Sequence, residues 1–378
     1  MRVLILGAGK IGRTVAKLLS RTGDYQVSVA DSEPAALALV EQKVPAAARV
    51  VVDVTDGNRL RSALGGHDLV LSALSYHHNP SVAEAALETG LSYFDLTEDV
   101  ETTRRVRAVS ERAKDGQVFM PQCGLAPGFV SIAAHDLAER FEKLDSVHMR
   151  VGALPQFPTN ALKYNLTWST DGLINEYCNP CDAIVHRRRI EVLPLEGLEH
   201  FSIDGVRYEA FNTSGGLGTL CETLDGKVTT LDYKTVRYMG HRDLVAFLIN
   251  GLRLGERREL LKDILERAVP VTFQDVVIVF ATVSGTVHGQ FVQVSDARKI
   301  YNQTIDGENW SAIQVTTAAG VSAMIDLFAQ GRLRKRGFLR QEEVGLDEFL
   351  ANRFGSYYDT SLRPKLVWEY DAPAEAAQ

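Results

Sequence analysis

Ten residues near the start of the chain, "VLILGAGKIG" from Val3 to Gly12, constrain its fold more than any other stretch. Val3 to Leu6 is a short apolar run, as expected of a strand covered on both faces. Gly7-x-Gly9-x-x-Gly12 follows, and then a helical pattern with Val15, Leu18 and Leu19 on one face. A glycine triplet alone is a weak signal, and the strand before and helix after give it meaning. Gly7 serves the tight turn, Gly9 lets a pyrophosphate approach the backbone, and Gly12 lets helix and strand pack closely. The N–H groups that open the helix, at Lys10 and Ile11, are free donors at the positive end of its dipole. These residues predict a dinucleotide site. A second apolar strand, Gln26 to Ala30, ends in Asp31, 19 positions past Gly12. A carboxylate there accepts hydrogen bonds from the adenosine ribose and repels a 2′-phosphate. No arginine follows in "DSEPAA", so NAD is expected ahead of NADP. The alternative for Asp31 is a surface cap on the next helix.

The alternation of strand and helix continues. "ARVVVDV" ends in Asp53 and Val54, where an adenine rests in such folds, and "HDLVLSALS" carries Ala73 and Leu74 toward the crevice. "SYFDL" and the run from Gln117 to Pro121 add two more strands. The pattern predicts an α/β Rossmann domain, a doubly wound parallel sheet, over residues 1–125. Ligands of such sheets bind beyond the carboxyl ends of the strands. Three of those ends, Ser72 to His78, Asp95 to Glu98 and the turn from Gly124 to Gly128, converge on one crevice. The turn "GLAPG" contains Gly124 and Pro127, a close approach of backbone to something still unnamed.

From about Asp145 the pattern changes to an α+β region with a mostly antiparallel sheet. "SVHMRVGAL" reads as a strand, and "ALKYNLTWST" alternates like another. "VTFQDVVIVFATVSG" and "TVHGQFVQVSD" read as long strands turning at Gly285. "WSAIQVTTAAGVSAMIDLFAQG" is a long helix, and "DAPAEAAQ" has the composition of a frayed tail. The net charge of -7 over 378 residues argues against a nucleic-acid partner. No run reads as a signal segment or a bilayer span, so a cytoplasmic protein is expected. The basic clusters Arg187–Arg189 and Arg332–Arg336 read as solvated surface, with an anion site or subunit contact as the alternative. Four cysteines do not make a disulfide framework. Cys178 and Cys181 form one Cys-x-x-Cys without the further ligands zinc needs, so no metal is expected.

The pieces "GAGKIG", "GLAPGF", "YNLTWSTDGLINEY", "AFNTSGG" and "YKTVRYMGH" together resemble the saccharopine dehydrogenase-like oxidoreductases, over residues 1 to about 336. Among these the pattern is most similar to the L-lysine 6-dehydrogenases. The "CNPC" segment departs from the family pattern and leaves the substrate open. The resemblance implies that a helix at about 311–336 returns to complete the dinucleotide domain. It also implies that residues 126–310 bind substrate and mediate dimer contacts, with residues 337–378 as a C-terminal segment. The implied reaction is NAD-dependent oxidation of a carbon–nitrogen bond, L-lysine at its ε-carbon giving 2-aminoadipate 6-semialdehyde. The alternatives are saccharopine oxidation, a carboxynorspermidine-type dehydrogenase and a dinucleotide-binding protein without turnover.

Such chemistry needs a neutral amine, and a lysine ammonium of pKa about 10.4 is neutral in only roughly one part in a few thousand at pH 7. A general base or an alkaline optimum is therefore required. Asp95, Glu98, Tyr76, His77 and His241 are the candidates, His241 because imidazole titrates near neutrality. Each also has a structural reading: Asp95, Glu98 and His241 as helix caps, Tyr76 as packing. For a substrate carboxylate the candidate donors are Arg237 and Lys163, with Thr213, Ser214 and the Gly215 N–H of the "NTSGG" loop. In an extended run Lys234 and Tyr238 share a face and Arg237 points oppositely, so they cannot all face a substrate, and both Arg237 and Lys234 stay candidates. Tyr164, four positions before Trp168, is a candidate wall for the aliphatic part of the substrate.

Overall fold

The structure, a computed structural model, describes residues 1–359. Six parallel strands build the first sheet: β1 (Arg2–Leu6), β2 (Gln26–Asp31), β3 (Ala48–Val51), β4 (Leu69–Ser72), β5 (Ser92–Asp95) and β6 (Val118–Met120). Their spatial order is β6-β5-β4-β1-β2-β3, and a short edge strand, Gly337–Phe338, pairs parallel with β6. Val3, Leu4, Ile5 and Leu6 are fully buried because helices cover both faces. Strand order reverses between β1 and β4, which opens the crevice where doubly wound sheets bind ligands. The Ala312–Ala329 helix packs against the Lys10–Ser20 helix, so the late part of the chain covers this sheet.

The second sheet is mixed and mostly antiparallel. It contains β7 (Lys143–Pro155), β8 (Cys181–Val185), β9 (Arg188–Val192), β10 (Glu199–Ile203), β11 (Val206–Asn212), β12 (Thr230–Tyr238), β13 (Asp275–Val287) and β14 (Gln290–Tyr301). The main path is β10-β11-β12-β7-β13-β14, and only the β12–β7 pair is parallel. One helix, Phe129–Ala138, packs on β7 and β13 and joins the two sheets through a continuous apolar core.

Three local expectations are corrected. Residues 161–169 form no strand: Tyr164, Asn165, Leu166 and Thr167 are all buried, so the alternation reflects packing around a loop, not a two-faced ladder. The β13–β14 turn lies at His288 and Gly289, both at positive φ. Gly285 sits inside β13 at a register shift, where a Cβ would collide with the Lys143 carbonyl. Finally, the Ala312–Ala329 helix is long and apolar enough to cross a bilayer, although 83% of that window is buried inside the protein. The "DAPAEAAQ" tail lies outside the described residues.

Candidate active site

The crevice begins at the β1–helix turn. Gly7 has φ +102°, and a Cβ there would lie 2.7 Å from the Ala73 carbonyl, so the first turn and the end of β4 touch through backbone. A Cβ on Gly12 would collide with the Gly7 carbonyl, which fixes how closely the helix meets the strand. Gly9, in contrast, faces open space within 4 Å. These three glycines make a cradle that a diphosphate fits, at the N-terminus of the Lys10–Ser20 helix. Asp31, at the end of β2, lies beside this cradle. Its Oδ2 accepts from the Ala8 N–H at 2.7 Å and its Oδ1 from the Glu33 N–H at 2.9 Å. Both oxygens keep lone pairs for ribose hydroxyls. Arg13 reaches the same place: its Nη1 donates to the Ala8 carbonyl and the Asp31 charge acts on it. Asp53 turns back on its own loop, accepting from the Thr55 N–H and hydroxyl.

Beyond the carboxyl ends of β4, β5 and β6 lies a cleft of about 180 Å³ between the two sheets. Its dinucleotide side carries Ile11, Ala73, Leu74 and Tyr76, and the "GLAPG" turn contributes Gly124 and Pro127. The close approach at that turn is helix on backbone. A Cβ on Gly320 of the Ala312–Ala329 helix would lie 2.8 Å from the Gly124 carbonyl and 2.9 Å from that of Cys123. From the second sheet come Val151, Gly152, Tyr233, Thr235 and Arg237, and the Thr170–Cys178 helix adds Gly172 and Glu176.

Three charged side chains line the cleft: Glu98, Glu176 and Arg237. Arg237 is 3% exposed and has no carboxylate within ion-pair distance among the described residues. Its Nε donates to the Tyr177 hydroxyl at 2.9 Å, Nη1 to the Val236 carbonyl at 2.9 Å, and the guanidinium lies 4.9 Å from the Tyr164 ring centre. A buried cation held by neutral groups is poised for an incoming anion, and a guanidinium fits a carboxylate with two parallel bonds. Glu98 has an Oε1 with no hydrogen-bond partner, and burial, with Asp99 adding, pushes its carboxyl up to about 7. Glu176 is pushed up to about 8 by burial, with Arg237 opposing and Glu98 adding. Glu176 has no signal in the sequence beyond its spacing of four from Gly172, which puts both on one helix face.

Several expected site residues lie elsewhere. Asp95 is fully buried behind the cleft and hydrogen-bonded through both oxygens: it accepts from the Thr97 N–H at 2.9 Å, the Gln122 N–H at 2.9 Å and the Tyr93 hydroxyl at 2.7 Å. Burial still raises it to about 6, against those bonds, but it clamps β5 to the turn after β6 and is fully enclosed. His241 does not line the cleft either. Its Nδ1 lies 2.7 Å from the Leu162 carbonyl and its Nε2 3.0 Å from the Tyr177 hydroxyl. Burial, and then the Arg237 charge, lower it to about 3, so it stays neutral. Lys163 is exposed and donates to the Met239 carbonyl at 2.9 Å. Lys234 pairs with Glu199 at 2.7 Å on the far face of β12, as strand parity requires of a neighbour of Thr235. Tyr164 is a buried support under Arg237 and accepts from the Trp168 indole at 3.2 Å; Trp168 itself lines the cleft. Thr213 faces a separate small cavity, and the Ser214 N–H holds the Glu176 carbonyl at 2.9 Å. Cys178 and Cys181 are free thiols.

Fold and cleft together define a two-domain NAD(P)-binding protein whose second sheet faces the dinucleotide crevice. The model of the saccharopine dehydrogenase NADP binding domain matches residues 3–120, and that of the saccharopine dehydrogenase C-terminal domain matches residues 124–355. The chain belongs to the saccharopine dehydrogenase family. It is 24% identical over 196 residues to a saccharopine dehydrogenase [NADP(+), L-glutamate-forming] of Schizosaccharomyces pombe, covering 50% of this chain and 43% of that one. It is 23% identical over 200 residues to the mitochondrial alpha-aminoadipic semialdehyde synthase of Rattus norvegicus, covering 50% of this chain and 21% of the relative. The matched region thus spans less than half the length of these curated relatives. The apo saccharopine dehydrogenase (L-Glu forming) from Saccharomyces cerevisiae superposes with a TM-score of 0.74 at 18% identity, over 90% of this chain and 94% of that one. That likeness establishes a shared fold.

Proposed function

We propose that this protein is an NAD-dependent oxidoreductase that oxidises a carbon–nitrogen bond of an amino acid in lysine metabolism, with L-lysine at its ε-amine as the substrate. The observation that carries the reading is the charge set of the cleft: one buried guanidinium without a carboxylate partner, facing two carboxylates of raised pKa. Lysine offers one carboxylate and two amines, which matches one cation and two acids. Saccharopine offers three carboxylates and would leave two of them among apolar walls and acids. The names of the curated relatives favour saccharopine, and it remains the second reading.

The residues divide the work as follows. The Gly7–Gly12 turn and Asp31 would hold the dinucleotide, whose nicotinamide, when bound, accepts a hydride from the carbon bearing the amine. Arg237 grips the α-carboxylate and fixes the length of chain that reaches the crevice. Glu98, near pKa 7, takes the proton that leaves the ε-ammonium and so supplies the neutral amine. Glu176 holds the second ammonium. Tyr76, Trp168 and Pro127 exclude water from the walls. The imine product is hydrolysed to the aldehyde and ammonia.

Reduced-nicotinamide absorbance on mixing the protein with NAD or NADP and either L-lysine or saccharopine tests this directly. Turnover with lysine and NAD is expected, and turnover confined to saccharopine overturns the lysine assignment. Asp31→Ser should shift preference toward NADP, because Arg13 then meets the phosphate without a competing carboxylate. An unchanged preference ratio would overturn the ribose contact.

A further inference from the structure

Beneath Arg237, outside the cleft, lies a row of buried polar groups that the proposed chemistry does not use. The Leu162 carbonyl, the His241 ring, the Tyr177 hydroxyl and the Arg237 Nε form an unbroken chain with steps of 2.7, 3.0 and 2.9 Å. We infer that His241 and Tyr177 are positioning residues that set the direction of the Arg237 guanidinium and thereby the affinity for a substrate carboxylate. This rests on the reading of Arg237 as the carboxylate anchor.

The direction of every proton in the chain follows from the donors and acceptors once the His241 ring is neutral, as burial and the Arg237 charge keep it. A carbonyl can only accept, so the His241 Nδ1 carries the hydrogen that meets Leu162. The ring is neutral, so its Nε2 is a lone pair. That lone pair accepts the Tyr177 hydroxyl proton, which leaves the Tyr177 oxygen free to accept from the Arg237 Nε. Burial holds the Tyr177 phenol protonated, although Arg237 pulls the other way. The one other charged group facing this row, among the described residues, is Glu176, whose charge acts on both Tyr177 and Arg237, and the uncharged rings of Tyr164 and Phe211 pack against His241. With Nε tied to Tyr177 and Nη1 tied to the Val236 carbonyl, the guanidinium plane is fixed at two corners. The Nη2 edge then remains for the ligand. The small apolar cavity on the other side of His241, lined by Leu173, Val245 and Leu261, keeps water from competing for the ring.

The test is calorimetric binding to the dinucleotide-loaded full chain, with L-lysine, saccharopine and 1,5-diaminopentane as probes. The last has both amines and no carboxylate. Tyr177→Phe keeps the ring and deletes the hydroxyl. It should weaken whichever carboxylate ligand the wild type binds by about tenfold or more, as loss of a hydrogen bond to a charged group does. Affinity for 1,5-diaminopentane and for the dinucleotide should stay within twofold. In turnover the loss should fall on KM and not on kcat. His241→Gln, which can still accept from Tyr177, should recover part of the affinity that His241→Leu loses. Equal weakening of all three probes, or of none, overturns the relay. Binding of saccharopine without lysine overturns the lysine reading and leaves the relay to be scored on saccharopine. A wild type that binds neither carboxylate overturns Arg237 as anchor, and the relay with it.

Discussion

Glu98 lines the cleft with a buried Oε1 that has no hydrogen-bond partner among the described residues. A base with a pKa of about 7 is half deprotonated where cells operate, which is where general-base catalysis is most effective. Glu98→Gln keeps the shape and removes the proton acceptor. It should lower kcat/KM by about 10²–10⁴-fold and erase the rise of kcat/KM through pH 7, leaving only the alkaline limb of the free amine. Steady-state rates from pH 5.5 to 10 read this out. Glu176 makes a prediction about stability. Its folded pKa of about 8 lies above its unfolded value of about 4.5, so the folded state binds the proton more tightly. Its stabilising share is complete below the unfolded value and is lost as pH rises toward 8. Glu176→Gln should therefore gain stability over the wild type at pH 8.5, on the order of a few kcal/mol at most, and gain nothing at pH 4.5. Urea unfolding at both values measures it, and an equal gain at both would mean that packing, not charge, sets the effect. Asp95 has a pKa raised by the same burial but is fully enclosed, so a raised pKa alone does not mark a site.

At the scale of elements, the cleft depends on how closely the Ala312–Ala329 helix approaches the "GLAPG" turn. Gly320→Ala gains about 1 kcal/mol of helix propensity but places a methyl carbon within 3 Å of two backbone carbonyls that cannot rotate away. Overpacking of this kind costs about 1–3 kcal/mol. The variant should melt at a lower temperature and lose affinity for dinucleotide and substrate together, since the turn carries Gly124 and Pro127 into the cleft. A variant that melts at or above the wild type would show that the helix can shift. This element also marks what the sequence makes legible. The β1–glycine–helix unit is read correctly because its geometry is local: turn, helix start and strand lie within twenty residues. The two-residue period sets Arg237 and Lys234 on opposite faces of their strand, as the structure has them, but does not say which face meets the cleft. Asp95 and His241 are misread because the same residue types serve as catalysts or as buried clamps. Which one they are depends on what packs over them from distant segments, the Gln122 turn for Asp95 and the Leu162 loop for His241. Glu176 is missed because a helical Glu beside Tyr177 signals nothing until Arg237, 61 positions later in the chain, is folded against it.

At the scale of the molecule, the two sheets are stitched by the end of the described chain rather than joined by a linker. Gly337–Phe338 extends the first sheet, and Arg298 of β14 donates to the Tyr358 carbonyl at 2.8 Å. The Tyr358 hydroxyl donates to the Thr316 carbonyl at 2.7 Å, deep in the core. Asp326, 1% exposed, accepts from Tyr25 at 2.5 Å, Asn352 at 2.7 Å and Arg353 at 2.6 Å, while Arg353 also reaches Asp24 at 2.6 Å. Elements from residue 25 to residue 358 thus share buried polar contacts that are costly to break singly. Residues 1–125 on their own lack the Ala312–Ala329 helix that packs on the Lys10–Ser20 helix and β5, and the strand that pairs with β6. Two consequences follow from this. A fragment of residues 1–125 should not fold, giving a disordered far-ultraviolet spectrum or inclusion bodies. The full chain should unfold in one cooperative step, because one face of the first sheet shares a single apolar core with the second sheet. The tryptophans allow this to be checked, since Trp168, Trp310 and Trp368 all lie outside residues 1–125. Tryptophan fluorescence therefore follows the later part of the chain, and circular dichroism follows the whole. Coincident midpoints in urea are expected. A fluorescence transition that precedes the circular-dichroism transition would mean that the dinucleotide sheet stands alone, and that the cleft could open by rigid motion of two independent bodies.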